Sequence, residues 1–134
     1  MGAPAGAQEM SGAEKLRRLD IMLMVTGLRC RAGTDHFEVD FQEFERHHLA
    51  ELNGAARELK VALVQTVGAA RAERELDRIS VTMANKYGGG HPWMGCHELK
   101  EMTHQLAVAD GVEPLIDAAD RTLGEEGVPQ VAAR

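Results

Sequence analysis

Two Glu-x-x-His motifs, Glu45-x-x-His48 and Glu101-x-x-His104, stand among six histidines. Residues i and i+3 of a helix project together, so each motif pairs a carboxylate with an imidazole, a donor set suited to iron or manganese. Two such motifs, with a Glu from each of two further helices, build a di-metal carboxylate site in a four-helix bundle. Helical geometry speaks against that site. At about 100° per residue, His48 falls near the centre of an apolar arc with Glu45 on its shoulder, whereas Glu101 and His104 lie opposite Leu99, Met102 and Leu106. One pair faces inward and the other outward, and the first predicted helix offers only Asp20 as a carboxylate in its middle. His97, Glu101 and His104 share the outer face, to be read either as three ligands for a surface Zn²⁺ or, more plainly, as a solvated polar face. The expectation is therefore no metal and no cofactor. His48 reads as a core histidine bonded to Glu45, Glu51 or a backbone carbonyl, or as half of a His–Glu pair lining a pocket.

The two cysteines, Cys30 and Cys96, carry three readings. They fall at the end of one predicted helix and the start of another, both on apolar stripes, so a crosslink between them suits an antiparallel bundle. Two inert buried thiols fit the same positions. Cys96 alone, at a helix N-terminus beside His97, is placed to be a nucleophile. The segment Gly88-Gly89-Gly90-His91-Pro92-Trp93 is the most distinctive loop. It is not a phosphate-binding P-loop, because no Lys-Ser/Thr follows it and no strand precedes it. It reads either as a helix stop with a Trp lid over the bundle end, or as a partner or ligand surface built on His91 and Trp93.

These residues need elements to hold them. Ser11-x-x-Glu14 is a capping box, after which Leu16, Leu19, Leu23, Thr26 and Cys30 recur at helical spacing. Ile21, Met22, Met24, Val25 and Leu28 widen that stripe almost all round, so the helix over 12–31 belongs at the centre of a bundle, with Gly33 ending it. Asp35-x-x-Glu38 signals the start of a second helix, 36–67, whose narrow arc runs from Phe37, Phe41 and Phe44 through His48 to Leu59 and Leu63. Gly68 ends it, although Ala69 to Glu75 also favours helix. A third helix, 72–87, presents Leu76, Ile79, Met83 and Tyr87. The fourth, 92–109, opens with Pro92 in its first turn and presents Cys96, Leu99, Met102, Thr103 and Leu106. A fifth, 113–123, starts at Glu113-Pro114 and stops at Gly124. No segment alternates with period two. The predicted fold is all-α: an antiparallel bundle of four main helices plus a short C-terminal helix, forming one domain over 11–123 with tails at 1–10 and 124–134.

The chain of 134 residues carries a net charge of −6 and only five aromatic residues (three Phe, one Trp, one Tyr). An acidic surface without stacking platforms excludes nucleic acid as a partner. No apolar run approaches the roughly 20 residues of a membrane span. Ala5-Gly6-Ala7 followed by Gln8-Glu9 reads either as the end of a cleaved signal peptide or as a plain tail.

Leu23-Met24-Val25 leading to Leu28-Arg29-Cys30-Arg31 resembles the LMV-x-x-L-x-C-R segment of a group of small secreted or periplasmic helical proteins of alphaproteobacteria. Phe41 to Phe44 with Glu51-Leu52 resembles their second helix. Leu76-Asp77-Arg78-Ile79 and Thr82-Met83-Ala84-Asn85 resemble their third, and Cys96 falls where they carry a second cysteine. The match spans about residues 16–100. The resemblance implies export and a Cys30–Cys96 pair, and it implies no catalytic residues. Some members bear the label S-adenosyl-L-homocysteine hydrolase. This chain has no Gly-x-Gly-x-x-Gly after a strand and is too short for a dinucleotide domain plus a substrate domain. The expected function is a non-catalytic, disulfide-stapled binding or structural module outside the cytoplasm, with an unknown protein or small ligand as partner. Two alternatives stand beside it: a metal- or ligand-binding protein or enzyme using the His/Glu pairs, and a cytosolic interaction protein with reduced thiols.

Overall fold

The computed structural model describes residues 10–33 and 36–124. The Ala5-Gly6-Ala7 segment, the cap expected at Asp35 and the tail beyond Gly124 lie outside them. Among the described residues the protein is all-α, with six helices and no strand. They are α1 (Gly12–Cys30), α2 (Phe37–His47), α3 (Leu49–Val67), α4 (Ala69–Tyr87), α5 (Cys96–Val108) and α6 (Glu113–Thr122).

α1 is the hub and packs against each of the other five helices. Ser11 starts it as the sequence predicts: its Oγ accepts from the Glu14 N–H at 3.1 Å. Leu16, Leu19, Leu23, Thr26 and Cys30 are all buried, joined by Ile21 and Met22. Thr26 is tolerated in this core because its hydroxyl donates back to the Met22 carbonyl at 2.8 Å. The apolar girdle is not complete, however. Met24 and Leu28 stay 43% and 62% exposed, because none of the described helices covers that flank of α1.

The single helix expected over 36–67 is two. The chain leaves helical geometry at His48 (φ −108°, ψ 23°), between α2 and α3. The Leu52 N–H still bonds the His48 carbonyl at 2.9 Å, so the apolar arc keeps its register across the break. Phe37, Phe44, His48, Ala55 and Leu59 are buried along it. Gly68 (φ 88°) turns the chain within one residue, and α4 begins at once at Ala69 rather than at 72. Ala72, Ile79, Met83 and Tyr87 form its buried face.

α5 begins at Cys96, not at 92, and Pro92 lies in the loop. The reason is visible in the hydrogen bonds. The backbone amides of Trp93 and Met94 donate to His91 Nδ1, each at 3.2 Å, so side chain rather than helix satisfies them. The Gly95 amide donates to Glu98 Oε1 at 2.8 Å, which caps the helix that follows. Pro114 sits in the first turn of α6, and Gly124 (φ 62°) adopts the left-handed turn expected just past its end. No described helix is long and apolar enough to cross a membrane.

Candidate binding groove and the disulfide-linked end

The C-terminus of α1 and the N-terminus of α5 meet at the cysteines. The Cys30 and Cys96 sulfurs lie 2.05 Å apart, with Cα atoms 5.6 Å apart, at a sequence separation of 66. Cys30 is buried and Cys96 half-buried. A link at this point joins the hub helix to the helix that packs on α2.

Beside it the Gly88–Trp93 loop is pinned by His91. Its Nε2 donates to the Thr122 carbonyl of α6 at 2.9 Å, while Nδ1 accepts the two backbone amides. A carbonyl only accepts, so the proton is on Nε2 and the ring is the neutral tautomer. The His91 ring stacks on Tyr87 (centroids 5.4 Å) and meets Trp93 edge-on (4.6 Å). The Tyr87 hydroxyl reaches the Leu123 carbonyl at 3.3 Å. A Cβ on Gly124 would meet Trp93 at 3.2 Å, so the half-exposed indole rests on that glycine. The loop thus closes the end of the bundle over α6.

The two Glu-x-x-His motifs part company as their helical angles predict. His48 is fully buried and donates from Nε2 to the Leu106 carbonyl at 2.7 Å. That carbonyl belongs to the last turn of α5 and also accepts the Ala109 amide at 3.3 Å. Glu51 Oε1 lies 3.5 Å from His48 Nδ1. His104, by contrast, is largely exposed, and its Nδ1 bonds Asp40 Oδ1 at 2.8 Å. His97 and Glu101 approach each other only at 4.0 Å. Among the described residues no three His, Cys, Asp or Glu side chains converge as a metal site.

Asp40 is an element the sequence did not flag. It is buried, and it takes Lys100 Nζ on Oδ2 and His104 on Oδ1, both at 2.8 Å, tying α2 to α5. Burial pushes its carboxyl up, but the hydrogen bonds and charges of Lys100 and His104 outweigh that and hold it below the usual carboxylate value. The only signal in the sequence was one acidic residue inside an apolar arc.

A second unflagged pair sits between α1 and α2. The Asp20 carboxyl, 14% exposed, lies within hydrogen-bonding reach of Glu45. Asp20 Oδ1 is buried and finds no N–H or O–H donor. Two carboxylates offer only acceptors, so a bond between them needs a proton. Burial first, then the Glu45 hydrogen bond and charge, push Asp20 up to about 8; Arg17, 3.8 Å away, only partly offsets them. The Asp20–Glu45 pair therefore holds on to a proton well above the usual carboxylate range.

Next to that pair the uncovered flank of α1 and the facing side of α2 form a groove of about 270 Å³. Among the described residues Met24, Leu28, Phe37 and Phe41 line it, with Glu45 and Glu38 among its polar groups and Arg31 as its one cation. Gly27 sets its depth: a Cβ there would lie 2.7 Å from the Phe37 ring. The sequence marks Met24 and Leu28 as apolar but not as uncovered, because hydrophobic spacing does not say which flank lacks a neighbour. No protein-family model matches the chain, and no curated protein or solved structure is similar to it.

Proposed function

We propose that the protein is a small extracytoplasmic binding module, an antiparallel helical bundle stapled by Cys30–Cys96, with no catalysis of its own. The observation that carries this reading is the placement of the two sulfurs within bonding distance, across 66 residues of chain. Such crosslinks persist in oxidising compartments and are rare in the cytosol. The resemblance to secreted and periplasmic alphaproteobacterial helical proteins, which carry cysteines at the corresponding places, supports the same compartment. Support for binding over catalysis comes from how the histidines are used. His48 and His91 are committed to backbone partners, and His104 is committed to Asp40. The groove between α1 and α2 is the surface on which a partner would rest.

Cell fractionation with thiol trapping tests the reading. Protein recovered from its native host, denatured and alkylated without reductant, should be found outside the cytoplasm and take up no label. Two labelled cysteines, or residence in the cytosol, would reject it.

A further inference from the structure

We propose that the groove between α1 and α2 binds a primary alkylammonium, its apolar chain along Met24, Leu28 and Phe41 and its ammonium at Glu45, beside the buried Asp20 carboxyl. This deepens the binding-module reading by naming a ligand class. It rests on the groove alone, so its failure and that of the staple are separate outcomes.

The geometry sets the ligand's length. Asp20 faces Glu45 at one level, and Gly27 touches Phe37 at another. Seven residues along α1 and eight along α2 separate these levels, so the helices run past one another in opposite senses. At 1.5 Å per residue the apolar floor is about 10–12 Å long. That length matches an alkyl chain of about six carbons with its terminal amine. Met24 and Leu28 are the large apolar side chains of α1 left in water, and both border this floor.

Charge selects the headgroup. Among the described residues Glu38 and Glu45 line the groove against Arg31 as the one cation of its lining, and Asp20 stands behind Glu45 with the Arg17 guanidinium 3.8 Å away and only partly offsetting the two acids. A buried carboxylate oxygen without a donor is costly, and the shared proton is one way to supply a donor. An ammonium is another: it brings three N–H donors and a full positive charge to a place that already favours a cation. The proton balance follows. The acid form of Asp20 loses its proton to solvent as the ammonium arrives, leaving two carboxylates around one cation. Because burial and Glu45 raise Asp20 toward 8, binding below this pH must expel the proton, and binding above it need not. Affinity therefore rises with pH while the amine remains protonated.

The test is calorimetric titration of the oxidised protein with n-hexylammonium, in buffers of different ionisation enthalpy, with 1-hexanol as the neutral match. The expected Kd is on the order of 1 mM for so small a ligand. Binding should tighten at least tenfold from about pH 6.5 to about pH 9.5, with a proton released at the lower pH. 1-Hexanol should bind at least tenfold more weakly. Glu45→Gln should abolish the preference for the amine, and Asp20→Asn should abolish the pH dependence. No binding of n-hexylammonium, equal binding of 1-hexanol, or a pH-independent Kd in the unmodified protein would each overturn the proposal without reference to any variant.

Discussion

Asp20 and Asp40 are two aspartates that interior contacts push in opposite directions, and their pH signatures have opposite sign. Asp20 is raised to about 8 from 3.8, so the folded chain holds its proton where the unfolded chain does not. Its contribution is favourable below the unfolded value and falls away as pH climbs toward 8. Asp20→Asn removes that slope. The variant should match the wild type near pH 4 and exceed it near pH 8.5 by on the order of 2 kcal/mol, read as the difference between paired urea curves. Asp40 is lowered, so its contribution is present above 3.8 and lost as pH falls through its folded value. His91 gives a third residue-scale outcome. His91→Ala frees the Thr122 carbonyl and two loop amides. It should cost about 1–3 kcal/mol and move the emission of Trp93, the one tryptophan, to longer wavelength. Much of this scale was hidden in the sequence. His48 as a core histidine was legible from its place on an apolar arc, but which of Glu45, Glu51 or a backbone carbonyl would hold it was not. Asp20 and Asp40 were not, since their character comes from Glu45, Lys100 and His104 on other helices.

At the scale of elements, periodicity reported burial well and boundaries less well. Leu16 to Cys30, Ile79 to Tyr87 and Leu99 to Leu106 face inward as their spacing predicts. The break at His48 carries no glycine or proline to announce it, and its ring is held by Leu106 of a distant helix. The late start of α5 likewise depends on His91 capturing two amides. The first contact spans 58 residues of chain; the second is local, reaching amides two and three residues past His91, but it competes with the helix start that Pro92 signals. Gly27 is the element-scale test. Alanine there gains about 1 kcal/mol of helix propensity, but its methyl would lie 2.7 Å from the buried Phe37 ring, which holds α2 against α1. Gly27→Ala should therefore lower stability by about 1–2 kcal/mol net, seen as a shifted urea midpoint with an unchanged slope. An increase in stability would show that α2 sits further from α1 than described.

For the whole molecule, α1 gathers five helices, and the Cys30–Cys96 link joins its last residue to the first of α5. All-α architecture was legible from the absence of period-two alternation; which flank of α1 would be left bare was not. The central claim is that the staple holds these ends together, and equilibrium urea unfolding of the oxidised protein against the Cys30→Ala/Cys96→Ala variant measures it most directly. Closing a loop of 66 residues restricts the unfolded chain by about 4 kcal/mol. The variant should lose stability of that order, with a steeper dependence on urea and unchanged helicity in water. Superimposable unfolding curves would contradict it.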